Sequence, residues 1–146
     1  MRKFLLLSGA AFFALAVPAF ADDSIETVVV SATRVPTPDY QVASSVTVIT
    51  ADEIAAKQER SLPDVLNDVP GLNVVQSGGP GGQTSIFLRG TNSNHTKILI
   101  DGIDVADPSN PNGSYDIGKL LSDDVAQVEV LRGPQSGLYG SDAIGG

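Results

Sequence analysis

The chain has 146 residues with no cysteine, nine basic against seventeen acidic residues, a net charge of -8 at pH 7, 15 Gly, 9 Pro and 5% aromatics. Its few, isolated Lys and Arg argue against nucleic acid or an anionic membrane surface as a partner, because phosphate binding needs clustered cations. Disulfides and thiolate metal sites are excluded outright, and the Gly and Pro content suits a loop-rich domain of short strands better than a helical bundle.

Met1 to Ala21 opens with Arg2 and Lys3, continues through a mainly apolar run from Phe4 to Val17 to Pro18, and closes on Ala19-Phe20-Ala21. The small residues of that triplet fit a signal-peptidase site, and the apolar run falls short of the ~20 residues a bilayer-spanning helix needs. Cleavage after Ala21 leaves about 125 residues, enough for one domain with a modest core. Residues 22–40 then form a front segment, whose acidic start and two prolines, Pro36 and Pro38, point to a tether that is not packed. Within it, Thr27 to Val30 has the β-branched content of a strand with no second strand nearby. That strand is either free for a partner or an edge strand of the domain's own sheet.

The body of the domain spans 41–146. Ser45 to Thr50 reads as a strand, and Thr50 with Glu53 forms a capping box that starts a short helix ending near Gln58. Ser61 caps a second helix with Pro63 in its first turn, a buried face of Leu62, Val65, Leu66 and Val69, and a stop at Pro70-Gly71. Leu72 to Gln76 reads as a strand leading into a glycine-rich loop, Ser77 to Gln83. No Gly-Lys-Ser/Thr ending and no following helix signal support a phosphate cradle there, so a flexible tip is the better reading.

Ile86 to Leu88 and Ile98 to Ile100 are short apolar runs flanking Thr91, Asn92, Ser93, Asn94 and His95, which read as a polar binding apex or as a generic loop between core strands. Asp101-Gly102 supplies a turn and Ile103 to Val105 a brief return strand. Ala106 to Ser114 is loop, with Asp107, Asn110 and Asn112 as further polar candidates. An EF-hand fails here, because Gly113 in its sixth place puts Pro108 first and Lys119 twelfth, where carboxylates are required; an irregular metal site within 104–116 stays open. Ile117 to Leu121 reads as one helical turn, Val125 to Leu131 as the last strand, and Pro134 to Tyr139 as a further turn of helix.

Three stretches in this order resemble one family. Ser-Ile-Phe-Leu-Arg-Gly followed by Leu-Ile-Asp-Gly (85–90 and 99–102), Glu-Val-Leu-Arg-Gly (129–133) and Tyr-Gly-Ser-Asp-Ala-Ile-Gly-Gly (139–146) are similar to the plug domain of TonB-dependent outer-membrane receptors. Arg-Gly-Thr-Asn-x-x-His (89–95) is most similar to the cobalamin branch, and Ser61 to Gly71 to the family's Asp-x-Leu-x-x-x-Pro-Gly segment. The resemblance implies that Glu26, Thr27, Val28, Val29, Val30, Ser31 and Ala32 form the TonB box, a strand that pairs with the periplasmic energy-transducing protein. It implies that the tips at Ser77 to Gln83, Thr91 to Thr96 and Ala106 to Ser114 meet a corrinoid or an iron-siderophore. It implies too that Arg89 and Arg132, otherwise ordinary strand-end charges, bond to carboxylates of the barrel wall, with Asp101 and Glu129 as internal substitutes if that wall is missing.

No series of alternating segments of roughly ten residues follows Gly146, so a transmembrane barrel is not expected within this chain. The function expected is therefore the plug of an active outer-membrane transporter lacking its barrel. The alternative is a soluble periplasmic binding domain, or a fragment of a disrupted receptor gene. No catalysis is expected: His95 is the single histidine, and Ser93 lacks a nucleophile-elbow context. No cofactor is called for. The expected fold is α+β, a small mixed sheet of four strands (Ser45–Thr50, Leu72–Gln76, Ile98–Asp101, Val125–Leu131) with two short helices on one face and long apical loops; Ser85 to Arg89 is an accessory piece.

Overall fold

The computed structural model describes residues 27–146, so the expected leader at 1–21 and residues 22–26, Glu26 among them, lie outside the described residues. In chain order the elements are β1 (Val28–Val29), β2 (Thr37–Pro38), a 3-10 turn (Asp39–Gln41), β3 (Ser45–Thr50), α1 (Ala51–Lys57), α2 (Leu62–Asn67), β4 (Leu72–Gln76) and β5 (Thr84–Leu88). A second 3-10 turn (Ser93–His95), β6 (Leu99–Ile100), β7 (Ile103–Asp104), β8 (Gln127–Arg132) and α3 (Ser136–Tyr139) complete the series. The class is α+β as expected. The strands do not join into one mixed sheet, however: they pair as four separate antiparallel ribbons, β1–β2, β3–β8, β4–β5 and β6–β7.

The β3–β8 ribbon is the spine, running in register from Ser45 opposite Arg132 to Thr50 opposite Gln127. Side chains alternate across a strand, and directly opposed residues share a face. Ile49 therefore sides with Val128 and Val130, which join the main core, while Val46 and Val48 side with Leu131 and Glu129 on the opposite face. That second face is also covered. Val29 and Ala32 pack on Leu131 with Val42, Val46 and Val48 around them, making a satellite core.

The main core gathers Ile49, Ile54, Val65, Leu66, Val69, Ile86, Leu88, Ile117 and Val130. Helix α1 is too short to stand alone in water, so its capping box cannot be the whole reason it forms. Glu53 N donates to Thr50 Oγ1 at 3.4 Å and Thr50 N to Glu53 Oε2 at 2.8 Å, contributing ~1 kcal/mol, while burial of Ile54 in the core contributes ~2 kcal/mol. In α2, Ser61 Oγ accepts from Asp64 N, and Pro63, Val65 and Leu66 are its buried face.

Strand β5 is more than an accessory piece. It pairs along its whole length with β4, from Leu72 opposite Leu88 to Gln76 opposite Thr84, and it buries Thr84, Ile86 and Leu88 by strict alternation. The expected helical turn at Ile117 to Leu121 is a single hydrogen-bonded turn, Leu120 N donating to Ile117 O at 3.0 Å, and goes no further because the neighbouring backbone is bonded elsewhere: Leu62 N donates to Leu120 O at 3.0 Å and Ser122 N to Arg60 O at 3.2 Å. Arg89-Gly90 and Asp101-Gly102 have positive φ at both positions (51° and 76°, 50° and 78°), the geometry of tight two-residue turns. Among the described residues no helix is long and apolar enough to cross a membrane.

Candidate functional site

Two of the three expected tips come together. Asn94, Thr96 and Lys97 on one side and Asp104, Asn112 and Asp142 on the other line a cavity of about 270 Å³ between the 91–97 and 104–115 loops. The side chain of Lys97 is 14% exposed and sits between Asp104, with which it forms an ion pair, and Asp142 at 3.8 Å. Thr96 Oγ1 is buried without a hydrogen-bond partner among the described residues. The third tip, with Ser77 and Gln83 at its neck, does not line this cavity. Ser77 N donates to Gln83 O at 2.9 Å, and the loop is anchored through Thr84, whose N–H donates to Asp116 Oδ1 at 2.8 Å. A methyl group on Gly118 would overlap Gly82 O, so that anchor needs glycine there.

The apex residues divide by what their side chains do. Asp107 Oδ1 accepts from Ser109 N at 2.8 Å and Ser109 Oγ at 2.7 Å; Asn110 Oδ1 accepts from Asn112 N, and Asn110 Nδ2 donates to Ser114 O and Oγ. These two side chains build the loop. Thr91 Oγ1 is likewise spent on Leu88 O at 2.8 Å. Asn92, Ser93, Asn94 and His95 hold their 3-10 turn through the backbone, His95 N donating to Asn92 O at 2.9 Å, and their side chains find no hydrogen bond among the described residues.

Carboxylates here are stabilised in their charged form. The Lys97 ammonium, and then Ala106 N–H, hold the Asp104 carboxyl below its usual value, and the Ser109 hydroxyl and N–H do the same for Asp107. A depressed folded pKa stabilises above the unfolded value of about 3.9 and loses that contribution as pH falls through the lower folded value. Amide exchange at Ala106 and Ser109, corrected for the intrinsic rate, is therefore expected to accelerate from pH 5 to pH 3 while β3–β8 amides stay protected.

The apex is tied to the far end of the chain. Gly145 N donates to His95 O at 2.9 Å, Lys97 N to Gly146 O at 2.9 Å, Gly133 N to Gly145 O at 2.9 Å and Gln135 N to Ala143 O at 2.8 Å. The run 133–146 thus lies between the apex and the end of β8.

The front segment departs from expectation. Residues 27–40, read as tethered but unpacked, fold back on the domain in this structure. Val28 and Val29 pair with Pro38 and Thr37, Val29 is fully buried, and Ala32 is buried on Leu131. They do so as a ribbon of their own, not as an edge of the domain's sheet. Glu129 Oε2 accepts from Val30 N at 3.0 Å and Ser31 N at 2.7 Å, Gln127 Nε2 donates to Val28 O at 3.3 Å, and Tyr139 Oη donates to Ser31 O at 2.6 Å. Thr27 precedes this contact, and Val30, within it, bonds through its N–H while its side chain is 44% exposed. No part in holding this segment was read for Gln127 or Tyr139, and Glu129 was read only as a substitute partner for the arginines, although a lone carboxylate inside the apolar run Val128 to Leu131 was a signal.

Arg132 Nε donates to Ser45 Oγ at 3.1 Å and its Nη1 to Pro70 O at 2.8 Å. Arg89, exposed and at positive φ, packs its side chain by Gly71 and Gly133. Neither arginine forms an ion pair among the described residues, so Asp101 and Glu129 do not act as their substitutes.

A model of the TonB-dependent receptor plug domain matches residues 38–146. The chain belongs to the TonB-dependent receptor plug domain family. This plug is similar to the ferric enterobactin receptor of Pseudomonas aeruginosa, solved as a point mutant in complex with enterobactin, at 31% identity and a TM-score of 0.54, over 71% of this chain and 17% of that one. It is also similar to the ferric yersiniabactin uptake receptor of Yersinia pestis, at 33% identity and a TM-score of 0.50, over 70% of this chain and 16% of that one. The plug sequence thus spans about a sixth of the length of those receptors.

Proposed function

We propose that this plug gates a TonB-dependent outer-membrane importer, receiving a large polar ligand on the apex of Asn92, Ser93, Asn94, His95 and Asn112 and offering residues 26–32 to the energy-transducing protein. The observation that carries the reading is the run 133–146, which is hydrogen-bonded at one end to the apex and through Tyr139 to Ser31 in the candidate box. Ligand contact and partner contact are thereby joined through one short piece of backbone, as coupling by segment release requires. Arg89 and Arg132, without carboxylate partners among the described residues, suit a barrel wall that supplies the acids. The chain's place is then the periplasmic side of the outer membrane, reached by way of the leader.

The ligand class favoured is a ferric siderophore, since both similar receptors are named for one. A corrinoid is the second reading, favoured by the Thr91-Asn92-x-x-His95 pattern. A free-standing periplasmic module gains nothing from the comparisons, which find this domain within much longer receptor chains.

Deleting residues 26–32 is expected to abolish capture of the energy-transducing protein; undiminished capture rejects the assignment of that strand. With ferric enterobactin and cyanocobalamin as probes on the full-length receptor, His95→Ala is expected to weaken binding of the true ligand class about tenfold, the loss of one hydrogen bond. Equal affinity in parent and variant for both probes would move the site off this loop.

A further inference from the structure

We propose that Asp116 is a positioning residue of the apex, through which the loop 104–115 sets the glycine-rich tip 77–83, so that the tip belongs to the same ligand surface as the cavity it does not line. The proposal rests on the reading of the apex as a ligand site and adds the residue that joins its two halves. Asp116 Oδ1 accepts from Thr84 N at 2.8 Å and from Gly118 N at 2.9 Å. Thr84 is fully buried, and its Oγ1 donates to Gly82 O at 2.9 Å. One carboxylate therefore holds the first amide of β5 and, through Thr84, the outgoing end of the tip. The fit is close, since a methyl group on Gly118 would come within 2.8 Å of Thr84 Oγ1 as well as overlapping Gly82 O.

On its other side Asp116 continues a loop braced by its own bonds. Asp107 N donates to Gly113 O at 3.2 Å, Gly113 N to Asn110 O at 2.8 Å, and Asn110 Nδ2 to Ser114 O at 3.0 Å. Gly113, Ser114 and Tyr115 line the cavity, and Tyr115 also packs against the main core. Ile117, the residue after Asp116, is 1% exposed in that core and fixes the pivot. A displacement at Tyr115 thus reaches the Asp116 carboxylate within one residue, and a carboxylate accepting two amides makes a charge-assisted contact that carries it onward. The tip's remaining backbone bonds among the described residues close on itself, Ser77 N donating to Gln83 O and Gly82 N to Gly79 O, both at 2.9 Å. Thr84 is left as its tie to the 104–115 loop.

The plug holds no cysteine, so a spin label on Gly79→Cys, where an added side chain meets nothing within 4 Å, reads the tip in the full-length receptor with any barrel cysteine changed to serine. Asp116→Ala is expected to make the label several-fold more mobile, and Asp116→Asn, which keeps the Oδ1 acceptor, to restore the parent's motion. Asn110→Ala, which unbraces the 104–115 loop, is expected to loosen the label in the parent and to add nothing in Asp116→Ala, as residues acting in one line are non-additive. Additive loosening, a label unmoved by Asp116→Ala, or no rescue by Asp116→Asn overturns the proposal. A label on Val75→Cys, exposed on β4, is the control; equal loosening there would make Asp116 a general support of the fold and overturns it too. Of the two probes, ferric enterobactin and cyanocobalamin, the one that binds is expected to slow the Gly79→Cys label in the parent, and to bind Asp116→Ala about tenfold more weakly without slowing it. Non-additive loosening with no response to either probe would keep Asp116 as the joint between the loops and sink the apex reading. Should Asp116→Ala fail to accumulate, Gly118→Ala, whose methyl displaces Gly82 O, takes its place, and an unmoved label there overturns the proposal equally.

Discussion

Replacing Leu88 by alanine is expected to cost about 3 kcal/mol of stability, seen as a lower urea midpoint with an unchanged slope. Leu88 is 1% exposed, lies opposite Leu72 in the β4–β5 ribbon, and packs with Ile49, Ile86, Val130 and the α2 face in the main core. Truncation there removes apolar burial and leaves a hole lined by residues from four separate elements, which cannot all close in. Against a total of ~5–15 kcal/mol for a domain, that is a large share. Val75, 45% exposed on the neighbouring strand, is the control: Val75→Ala is expected to shift stability by no more than about 0.5 kcal/mol. A Leu88→Ala midpoint no lower than the Val75→Ala one would show that this core is not what holds the domain.

The second large effect is expected from Gly145→Ala. A methyl group at that position would overlap Thr91 Oγ1 and come within 3.2 Å of both His95 O and Leu88 O. Two of those neighbours are backbone carbonyls, which cannot swing aside as a flexible side chain would, so the run 143–146 must lift from the apex. Overpacking of this kind costs about 2 kcal/mol. Amide exchange at Lys97 and Gly145 is expected to rise at least tenfold, about 1.4 kcal/mol of lost protection. Gly137→Ala is the matched control, because nothing lies within 4 Å of its added methyl and alanine favours the helical turn of α3. Comparable exchange in the two variants would mean that the C-terminal run does not brace the apex.

Local signals were well read and long-range pairings were not. Thr50 with Glu53, Ser61 with Pro63, and the apolar spacing of Val65, Leu66 and Val69 each act within one turn, so the helices could be drawn from sequence alone. The division into four ribbons depends on which strand meets which across as many as 87 residues, from Ser45 to Arg132, a choice no local pattern encodes. The β3–β8 ribbon misled for a related reason. Both of its faces are covered, so its alternation marks two different cores instead of core and solvent, and Glu129, read as a substitute partner for the arginines, bonds the front segment instead. At the apex the polar composition correctly marked the loops, but it could not separate Asp107 and Asn110, which fold the loop, from Asn94 and His95, whose side chains make no hydrogen bond among the described residues. That division follows from bond partners two to four residues away.

The ladder between β3 and β8 also has a mechanical sense. Ser45, the first residue of β3, stands opposite Arg132, the last of β8, and Arg132 leads straight into the run 133–146. Tension entering at the front of the domain and resisted at that run loads the ribbon from one end, parting its rungs in succession like a zipper, where a shear geometry would set all of them against the load together. Such an arrangement is compliant along one axis only: a modest, sustained pull can open it stepwise, whereas thermal jostling has to disrupt the whole core at once.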